Sequence, residues 1–238
     1  MQEKKYDVIV VGKGNAALCA ALAATEQGAK VAMLEAAFPD ESGGNSRFAG
    51  GVMRFAFASV EELKKVVDLT DAEVAESDFG TNTTDEFFDD LFRLTQYKTD
   101  PELSERLVTH SLDTMVWLRS KGVKFVPNYG RQSAVVNGRR RFFGRMPLEV
   151  SGGGSGLVQY LDRAAEKAGI DIHYNTRAKS LVMDGEKVVG INASCQGESL
   201  RYMGRAVVLA CGGFEANPEM RTRYLGPGWE LAKVRGSR

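Results

Sequence analysis

The start of the chain alternates between apolar runs and small or polar residues in a way that predicts a strand, a helix and a second strand. Residues 6–11 contain the β-branched run VIVV and are followed by a glycine, as in a buried strand. Residues 15–27 are rich in alanine with apolar positions at helical spacing, and residues 30–35 form another short apolar run. Together they predict a βαβ unit over residues 5–36.

The rest of the pattern predicts three further parts. Residues 38–52 form a glycine-rich loop, residues from about 55 to 150 a mainly helical insertion, and residues 151–238 a return to strands and helices. No linker or change of composition divides these parts. The pattern therefore predicts a single α/β domain over residues 1–238.

Some elements within these parts are predicted individually. One long helix is expected over residues 101–121, followed by a hairpin that turns at Asn137-Gly138. An amphipathic helix is expected over residues 156–168, and two short strands within residues 181–193.

Composition and charge narrow the class of protein. The chain has 238 residues with zero formal net charge, which argues against a nucleic-acid or anionic membrane partner recruited by bulk electrostatics. No apolar run approaches about 18 residues, so no membrane span is expected. The cysteines, Cys19, Cys195 and Cys211, are scattered, which predicts reduced thiols in the cytoplasm and no metal site.

Residues 12–17, GKGNAA, fit the dinucleotide-binding pattern G-x-G-x-x-G/A, directly after a predicted strand and at the start of a predicted helix. In this pattern Gly12 permits the tight turn, Gly14 lets a pyrophosphate approach the main chain, and Ala17 lets the helix pack close to the strands. The pyrophosphate then lies at the helix N-terminus, where free N–H groups favour negative charge. A tight turn without any ligand is the alternative.

Glu35 ends the second predicted strand, about 20 residues after the turn, where an acid accepts hydrogen bonds from ribose hydroxyls. Ala36 and Ala37 follow it with no arginine nearby, which favours a free ribose over a 2′-phosphate. Lys13 stands where a small residue is usual, and it is either solvated or assists the pyrophosphate. The turn and the acid leave NAD and FAD both open.

The loop that follows favours FAD. Residues 43–51, GGNSRFAGG, place two glycine pairs around Asn45, Ser46 and Arg47, at a point where an NAD domain would normally begin its next helix. Such a loop offers exposed N–H groups and small polar side chains to a large flat ligand. NAD-dependent dehydrogenase remains the alternative interpretation.

Four separated motifs resemble one known family. DVIVVGKGNAALCAALAATEQGAKVAMLE, GGNSRFAGG, GLVQYLDRAAEKAGIDIHYNTRAKSLV and AVVLACGGFEANPEM are similar to the flavoprotein family of fumarate reductases, succinate dehydrogenases and ketosteroid dehydrogenases. Within it, GKGNAALCAALAA, GGNSR and RYLGPGWELAKVRGSR most resemble tricarballylate dehydrogenases. The resemblance implies a Rossmann-like FAD-binding fold of the glutathione-reductase type, incomplete in this chain, with the helical insertion described above.

The resemblance also implies which residues contact FAD. The pyrophosphate would lie against the glycine turn, the ribose on Glu35, the adenine on a backbone position and the flavin side against the glycine-rich loop and a second glycine turn at Cys211. The residues so implied are Gly12, Gly14, Asn15, Ala16, Glu35, Gly44, Asn45, Ser46, Gly50, Gly51, Ala178, Ala210 and Gly212. Residues 43–51 contain no histidine to carry the flavin covalently, so non-covalent FAD is expected.

Other polar candidates carry less weight. Residues 139–141 are three arginines, which either attract a carboxylate substrate or form a solvated hairpin face. His110 and His173 have no partner at a telling spacing and are expected to be structural. The glycines of residues 152–154 precede a helix and form either a phosphate nest or a segment near the flavin.

In this family a capping domain, a Gly-Asp-Gly segment and the histidines and arginines that act on carboxylates follow the strand before ACGG. The resemblance therefore implies that the chain is the FAD-binding half of a longer oxidoreductase, and no catalytic residue is assigned in it. The expected reaction is hydride transfer between flavin N5 and a carboxylate substrate such as tricarballylate or a dicarboxylate, with a protein or a quinone-linked electron acceptor. A non-catalytic FAD-binding module is the alternative.

Overall fold

The computed structural model describes residues 2–235, so the final Gly236, Ser237 and Arg238 of the KVRGSR segment lie outside the described residues. The chain forms two compact units. The first contains the chain up to Ala49 and again from Gly154, and the second contains Gly50–Gly153.

The strands, in chain order, are β1 Gln2–Lys5, β2 Val8–Val11, β3 Val31–Leu34, β4 Ser77–Asp78, β5 Phe125–Pro127, β6 Ser133–Val136, β7 Arg139–Phe142, β8 Leu148–Val150, β9 Asp171–His173, β10 Thr176–Asp184, β11 Lys187–Cys195, β12 Glu198–Met203 and β13 Ala206–Leu209. The α-helices are α1 Asn15–Glu26, α2 Val60–Lys64, α3 Asp71–Glu76, α4 Thr84–Leu94, α5 Pro101–Thr109, α6 Ser111–Ser120, α7 Gly153–Lys167 and α8 Pro218–Leu225. Short 3-10 helices lie at Pro39–Glu41, Gly44–Phe48 and Trp229–Leu231.

A parallel sheet with the strand order β13-β2-β3-β9 forms the centre of the first unit. Its inner strands are continuous apolar runs because both faces of the sheet are covered. The predicted βαβ unit is confirmed here: β2 and β3 pair in parallel and α1 packs on both of them.

The opposite face of the parallel sheet packs against a second sheet with the order β1-β12-β11-β10. The shared core contains Ile9 and Leu34 from the parallel sheet and Ile191, Ala193 and Tyr202 from the second sheet. Burial of these side chains stabilises the fold by roughly 1.5–3 kcal/mol for each large apolar residue. The core therefore fixes the strand ends on which the candidate site is built.

The prediction of two short strands within residues 181–193 was wrong in extent. The structure has the longer strands β10 and β11, and β12 continues the antiparallel meander. β10 lies at an edge of its sheet and exposes most of its side chains, so its sequence lacks the apolar alternation that marks a half-buried strand.

The second unit combines α2–α6 with two small sheets, β4-β7-β6 and β5-β8. The predicted hairpin at Asn137-Gly138 is confirmed, since β6 and β7 pair in antiparallel register on either side of it. Thr70 and Thr83 cap α3 and α4 through capping boxes, in which each threonine and the glutamate three residues later bond each other's backbone.

The single helix predicted over residues 101–121 is two helices, α5 and α6, which meet at His110. Ser111 explains the break. Its buried hydroxyl donates to the Val108 carbonyl at 2.8 Å and accepts from the Ala56 N–H at 2.8 Å. A serine that bonds the backbone in this way competes with the helical ladder.

Candidate functional site

The candidate site is built on the edge of the parallel sheet where β2, β3 and β13 end. The Gly12 N–H donates to the Leu34 carbonyl at 2.8 Å, and the Ala210 N–H donates to the Val11 carbonyl at 2.9 Å. These two bonds bring the first residue of the glycine turn and the residue after β13 to the same edge. In open α/β sheets, ligands bind outside the carboxyl ends of the strands.

Gly12 has no room for a side chain. Its φ of +109° lies in the region that favours glycine, and a Cβ placed there would lie 2.9 Å from the Ala210 carbonyl carbon and 3.0 Å from the Cys211 Cα. The two glycine turns of the sequence therefore contact each other through bare backbone. Ala210, which was expected to belong to the second glycine turn, lies beside Gly12 of the first glycine turn.

Gly14 is the N-cap of α1 and faces the loop after β3. A Cβ on Gly14 would lie 3.3 Å from Ser46 Oγ, and this oxygen accepts the Asn15 N–H at 2.9 Å. The N–H groups of Ala16 and Ala17 have no acceptor within the helix, because they lie in its first turn. The start of α1 thus has the donors and the positive dipole end that an anion needs.

The loop from Gly43 to Ala49 lies against α7. Gly43 has a φ of +106°, and a Cβ on it would lie 3.1 Å from Val158 Cγ1 of that helix. The Gly154 N–H donates to the Ala49 carbonyl at 2.9 Å. Helix α7 therefore supports the loop that places Ser46 beside α1.

Gly44 and Asn45 lie in the same loop. Gly44 has a φ of +53°, and Asn45 Nδ2 donates to Glu215 Oε2 at 3.1 Å, a bond to the segment after the second glycine turn. The structure thus brings together Gly12, Gly14, Asn15, Ala16, Gly44, Asn45, Ser46 and Ala210.

Glu35 follows β3 at the same edge. Its N–H donates to the His173 carbonyl at 2.9 Å, and its Oε1 accepts the Ala37 N–H at 2.8 Å. Burial raises the pKa of Glu35, opposed by this N–H and by the charges of Lys13 and Arg177. The carboxylate is half-buried and has a second oxygen with which to accept ribose hydroxyls.

Lys13 is not solvated, so that alternative for its role was wrong. Its ammonium is buried and contacts both carboxylate oxygens of Asp162 in α7. It also lies 3.4 Å from Ser42 Oγ and 5.4 Å from the ring centroid of Tyr174. Sequence reasoning missed these partners because Asp162 lies 149 positions away, although a lysine at a usually small position was a signal.

A family model described as FAD binding domain matches residues 7–232, which is nearly the whole chain. The chain belongs to the FAD-binding domain family. FAD is therefore the cofactor.

Named relatives agree with this family. The chain is 32% identical over 215 residues to "Fumarate reductase (cytochrome)" of Shewanella frigidimarina, covering 90% of this chain and 34% of that protein. It is 30% identical over 228 residues to "Urocanate reductase" of Eggerthella lenta, covering 92% and 33%. The chain spans about a third of the length of these curated relatives.

A solved structure shares the fold. The open conformation of a flavocytochrome c3 fumarate reductase matches with a TM-score of 0.70 and 27% identity, covering 93% of this chain and 36% of that chain. The α/β architecture is therefore that of an FAD-binding flavoprotein.

The residues at the sheet edge fit FAD. A cradle of bare glycine backbone at Gly12 and Gly14, closed by Ser46, leaves space for a pyrophosphate beside the first N–H groups of α1. Across residues 2–235, no group of three or more His, Cys, Asp or Glu side chains is arranged to hold a metal ion. Within the same residues, no helix has the length and apolar character to span a membrane.

The other residues implied by the resemblance have different surroundings. Ala178 pairs with Ala193 between β10 and β11 and packs on the core, while Gly212 follows the exposed Cys211 with a φ of +75°. Gly50 and Gly51 belong to the second unit. There a Cβ on Gly51 would lie 2.6 Å from the Gly153 Cα, and Gly50 lies against the Arg131 guanidinium.

The arginines of β7 and the two histidines have structural partners. Arg139 Nη2 donates to the Ser77 carbonyl at 2.8 Å, Arg140 lies over the Tyr129 ring, and Arg141 lies 3.7 Å from Asp78. His173 Nε2 lies 3.1 Å from the Tyr6 hydroxyl, and His110 joins α5 to α6.

Proposed function

We propose that the chain holds the adenosine and pyrophosphate part of FAD in an oxidoreductase that acts on carboxylates. The observation that carries this proposal is the contact of Gly12 with Ala210 at the end of the parallel strands, beside the start of α1. Bare backbone, free N–H groups and a helix N-terminus together form a phosphate site.

Each residue has a role in this proposal. The N–H groups of Ala16 and Ala17 donate to the pyrophosphate, Gly14 lets it approach, and Ser46 fixes the turn by bonding the Asn15 N–H. Glu35 accepts hydrogen bonds from the ribose hydroxyls. The resemblance assigns the adenine to the Ala178 backbone, and Gly44, Asn45 and Gly212 to the flavin side.

When FAD is bound, its flavin supplies the hydride chemistry, and the protein supplies orientation and electrostatics. The FAD is held non-covalently, since residues 43–51 contain no histidine. No residue of the chain is assigned as a catalytic acid or base. The role of this chain is therefore to position the cofactor.

The substrate class rests on relatives named for fumarate and urocanate, both unsaturated carboxylates. Tricarballylate, a saturated tricarboxylate that would be oxidised rather than reduced, is the carboxylate substrate we favour, on the motifs GKGNAALCAALAA and GGNSR. The electron-transfer partner is a protein or a quinone-linked partner, and the name of the fumarate reductase gives a cytochrome as one such protein. The compartment we propose for the protein is the cytoplasm, and its three free cysteines support this.

The first experiment titrates the chain with FAD and NAD side by side and follows the melting temperature. FAD should raise the melting temperature and NAD should leave it unchanged, because the chain belongs to an FAD-binding family and a ligand stabilises the folded state that binds it. Stabilisation by NAD alone would contradict the proposal.

A second experiment assays the complete gene product with tricarballylate and an artificial electron acceptor, and with fumarate and urocanate and a reduced dye. Turnover of one of these carboxylates supports the oxidoreductase. An FAD-loaded protein that turns over none of them would favour the alternative, a non-catalytic FAD-binding module.

A further inference from the structure

The side chain of Lys13 has no place in the roles proposed above, yet it is one of the most deeply buried polar groups of the first unit. An ammonium without partners in such a place would cost several kcal/mol in desolvation. Here its partners are the Asp162 carboxylate, Ser42 Oγ at 3.4 Å and the Tyr174 ring at 5.4 Å. The glycine turn is thus tied to three other segments of the same unit.

Helix α7 carries Asp162, the charged partner of Lys13, on one of its faces. Gly154, Val158 and Asp162 are spaced four residues apart, so they lie on one stripe of the helix. Gly154 contacts the Ala49 backbone, Val158 contacts Gly43, and Asp162 holds the ammonium of the glycine turn. The two loops that form the phosphate cradle therefore rest on a single helical stripe.

We propose that Lys13 is a positioning residue for FAD, which acts through Asp162 to hold the glycine turn against α7 in its binding shape. This inference rests on the proposed function of the sheet edge as the FAD site. We assign Lys13 no bond to the pyrophosphate, because its ammonium contacts Asp162 on the side of α7. Its effect on FAD is through geometry and charge.

The charge of Lys13 also acts on the ribose end of the site. It lowers the pKa of Glu35, together with the N–H groups of Ala36 and Ala37 and the charge of Arg177 in β10, against the larger effect of burial. Removal of Lys13 therefore raises the pKa of Glu35 further. The carboxylate is then ionised over a narrower range of pH, and the binding of ribose weakens first at the acidic end.

The test measures FAD affinity by flavin fluorescence for the whole chain and for Lys13→Met, Asp162→Asn and the double variant Lys13→Met with Asp162→Leu. Each single change should weaken FAD at least tenfold, since it leaves one charge without its partner. The double variant should bind FAD more tightly than the product of the single losses predicts, because neither charge remains. Lys167→Met, at the exposed end of α7, is the matched control and should change the affinity less than twofold.

The pH profile separates positioning from a structural role. Lys13→Met should lose more affinity at pH 6 than at pH 8, whereas a loss of packing alone lowers affinity equally at both. Folded variants that bind FAD within twofold of the unmodified chain at both pH values would overturn this inference alone. Failure of the unmodified chain to bind FAD would instead overturn the proposed function. If Lys13→Met does not fold, Asp162→Asn carries the affinity comparison and the double variant, which also lacks the lysine charge, carries the pH comparison.

Discussion

Two glycine turns in this protein have similar backbone conformations and different surroundings. Gly12 follows β2 with a φ of +109°, and Gly138 turns the β6–β7 hairpin with a φ of +79°. A Cβ on Gly12 would lie 2.9 Å from the Ala210 carbonyl carbon, whereas a Cβ on Gly138 would meet no heavy atom of the described chain within 4 Å. The hairpin needs glycine only for its backbone. The turn after β2 needs it for the backbone and for space.

This difference bears on the proposal that the turn after β2 binds a ligand while the hairpin turn is structural. Gly138 follows Asn137, whose φ is +53°. A two-residue hairpin turn with two positive φ angles strongly prefers asparagine and glycine at these positions. Gly12 and Gly14 stand between a second turn at Ala210 and the Ser46 hydroxyl. We therefore expect a substitution at Gly12 to disturb the neighbouring Ala210 turn, and one at Gly138 to disturb only its own backbone.

The largest expected effect comes from Gly12→Ala. Backbone strain and the clash with Ala210 should together destabilise the chain by on the order of 3 kcal/mol. FAD binding should be lost, because the turn must open to admit the methyl group. Urea unfolding measures the first effect and FAD titration the second. A variant with unmodified stability and FAD affinity would remove the basis of the comparison.

A smaller loss is expected for Glu35→Gln. A bond from a ribose hydroxyl to a charged carboxylate is stronger than one to a neutral amide, so FAD affinity should fall roughly tenfold at pH 8. In the unmodified chain, burial raises the pKa of Glu35 above its usual 4.5. The affinity for FAD should therefore be highest above that raised pKa, where Glu35 is ionised, and should decline as the pH falls through it.

The pH series also supplies the control for Glu35→Gln. Glutamine does not ionise, so the fall in FAD affinity that comes from protonation of Glu35 should be absent from the variant. FAD titrations from pH 8 down to pH 5 check both curves. Two parallel curves would show that Glu35 does not contact the ribose.

Ser46→Ala should have a lesser effect. The variant leaves the Asn15 N–H without the oxygen that accepts it at 2.9 Å, a loss of about 1 kcal/mol. Because a pyrophosphate offers new acceptors to the same N–H group, FAD should recover part of this loss. Thermal melting with and without FAD should therefore show a larger deficit in the free chain than in the FAD-bound chain. Equal deficits would place Ser46 outside the cofactor site.

Gly138→Ala should have the smallest effect and is the matched control for Gly12→Ala. Its cost is backbone strain alone, about 1 kcal/mol, because there is space for the methyl group. FAD affinity should not change. A loss of FAD binding in this variant would mean that glycine substitutions act through general instability rather than through the site.

The sequence allowed the first βαβ unit and its glycine turn to be predicted because their signals are local. A β-branched run, two glycines and an alanine-rich helix lie within residues 6–35, and the structure has β2, α1 and β3 in those places. The hairpin at Asn137-Gly138 was predicted for the same reason. Local steric preference decides each of these elements.

The features that were missed depend on contacts distant in sequence. β1 is a polar strand, QEKK, that pairs in parallel with β12 almost 200 positions later, and nothing in its own residues marks it as a strand. The amphipathic pattern predicted α7, but not that Asp162 on it would hold Lys13. An ion pair between residues 149 positions apart can be recognised only once the fold has placed α7 beside the glycine turn.

The most direct test of the account is a competition for the FAD site between the two halves of the cofactor. The chain is loaded with FAD, and ADP or FMN is added while flavin fluorescence and the bound fraction are followed. ADP contains the adenosine and pyrophosphate that Gly12, Gly14, α1 and Glu35 are proposed to hold, so ADP should displace FAD and FMN should not. Displacement by FMN with no effect of ADP would contradict the account.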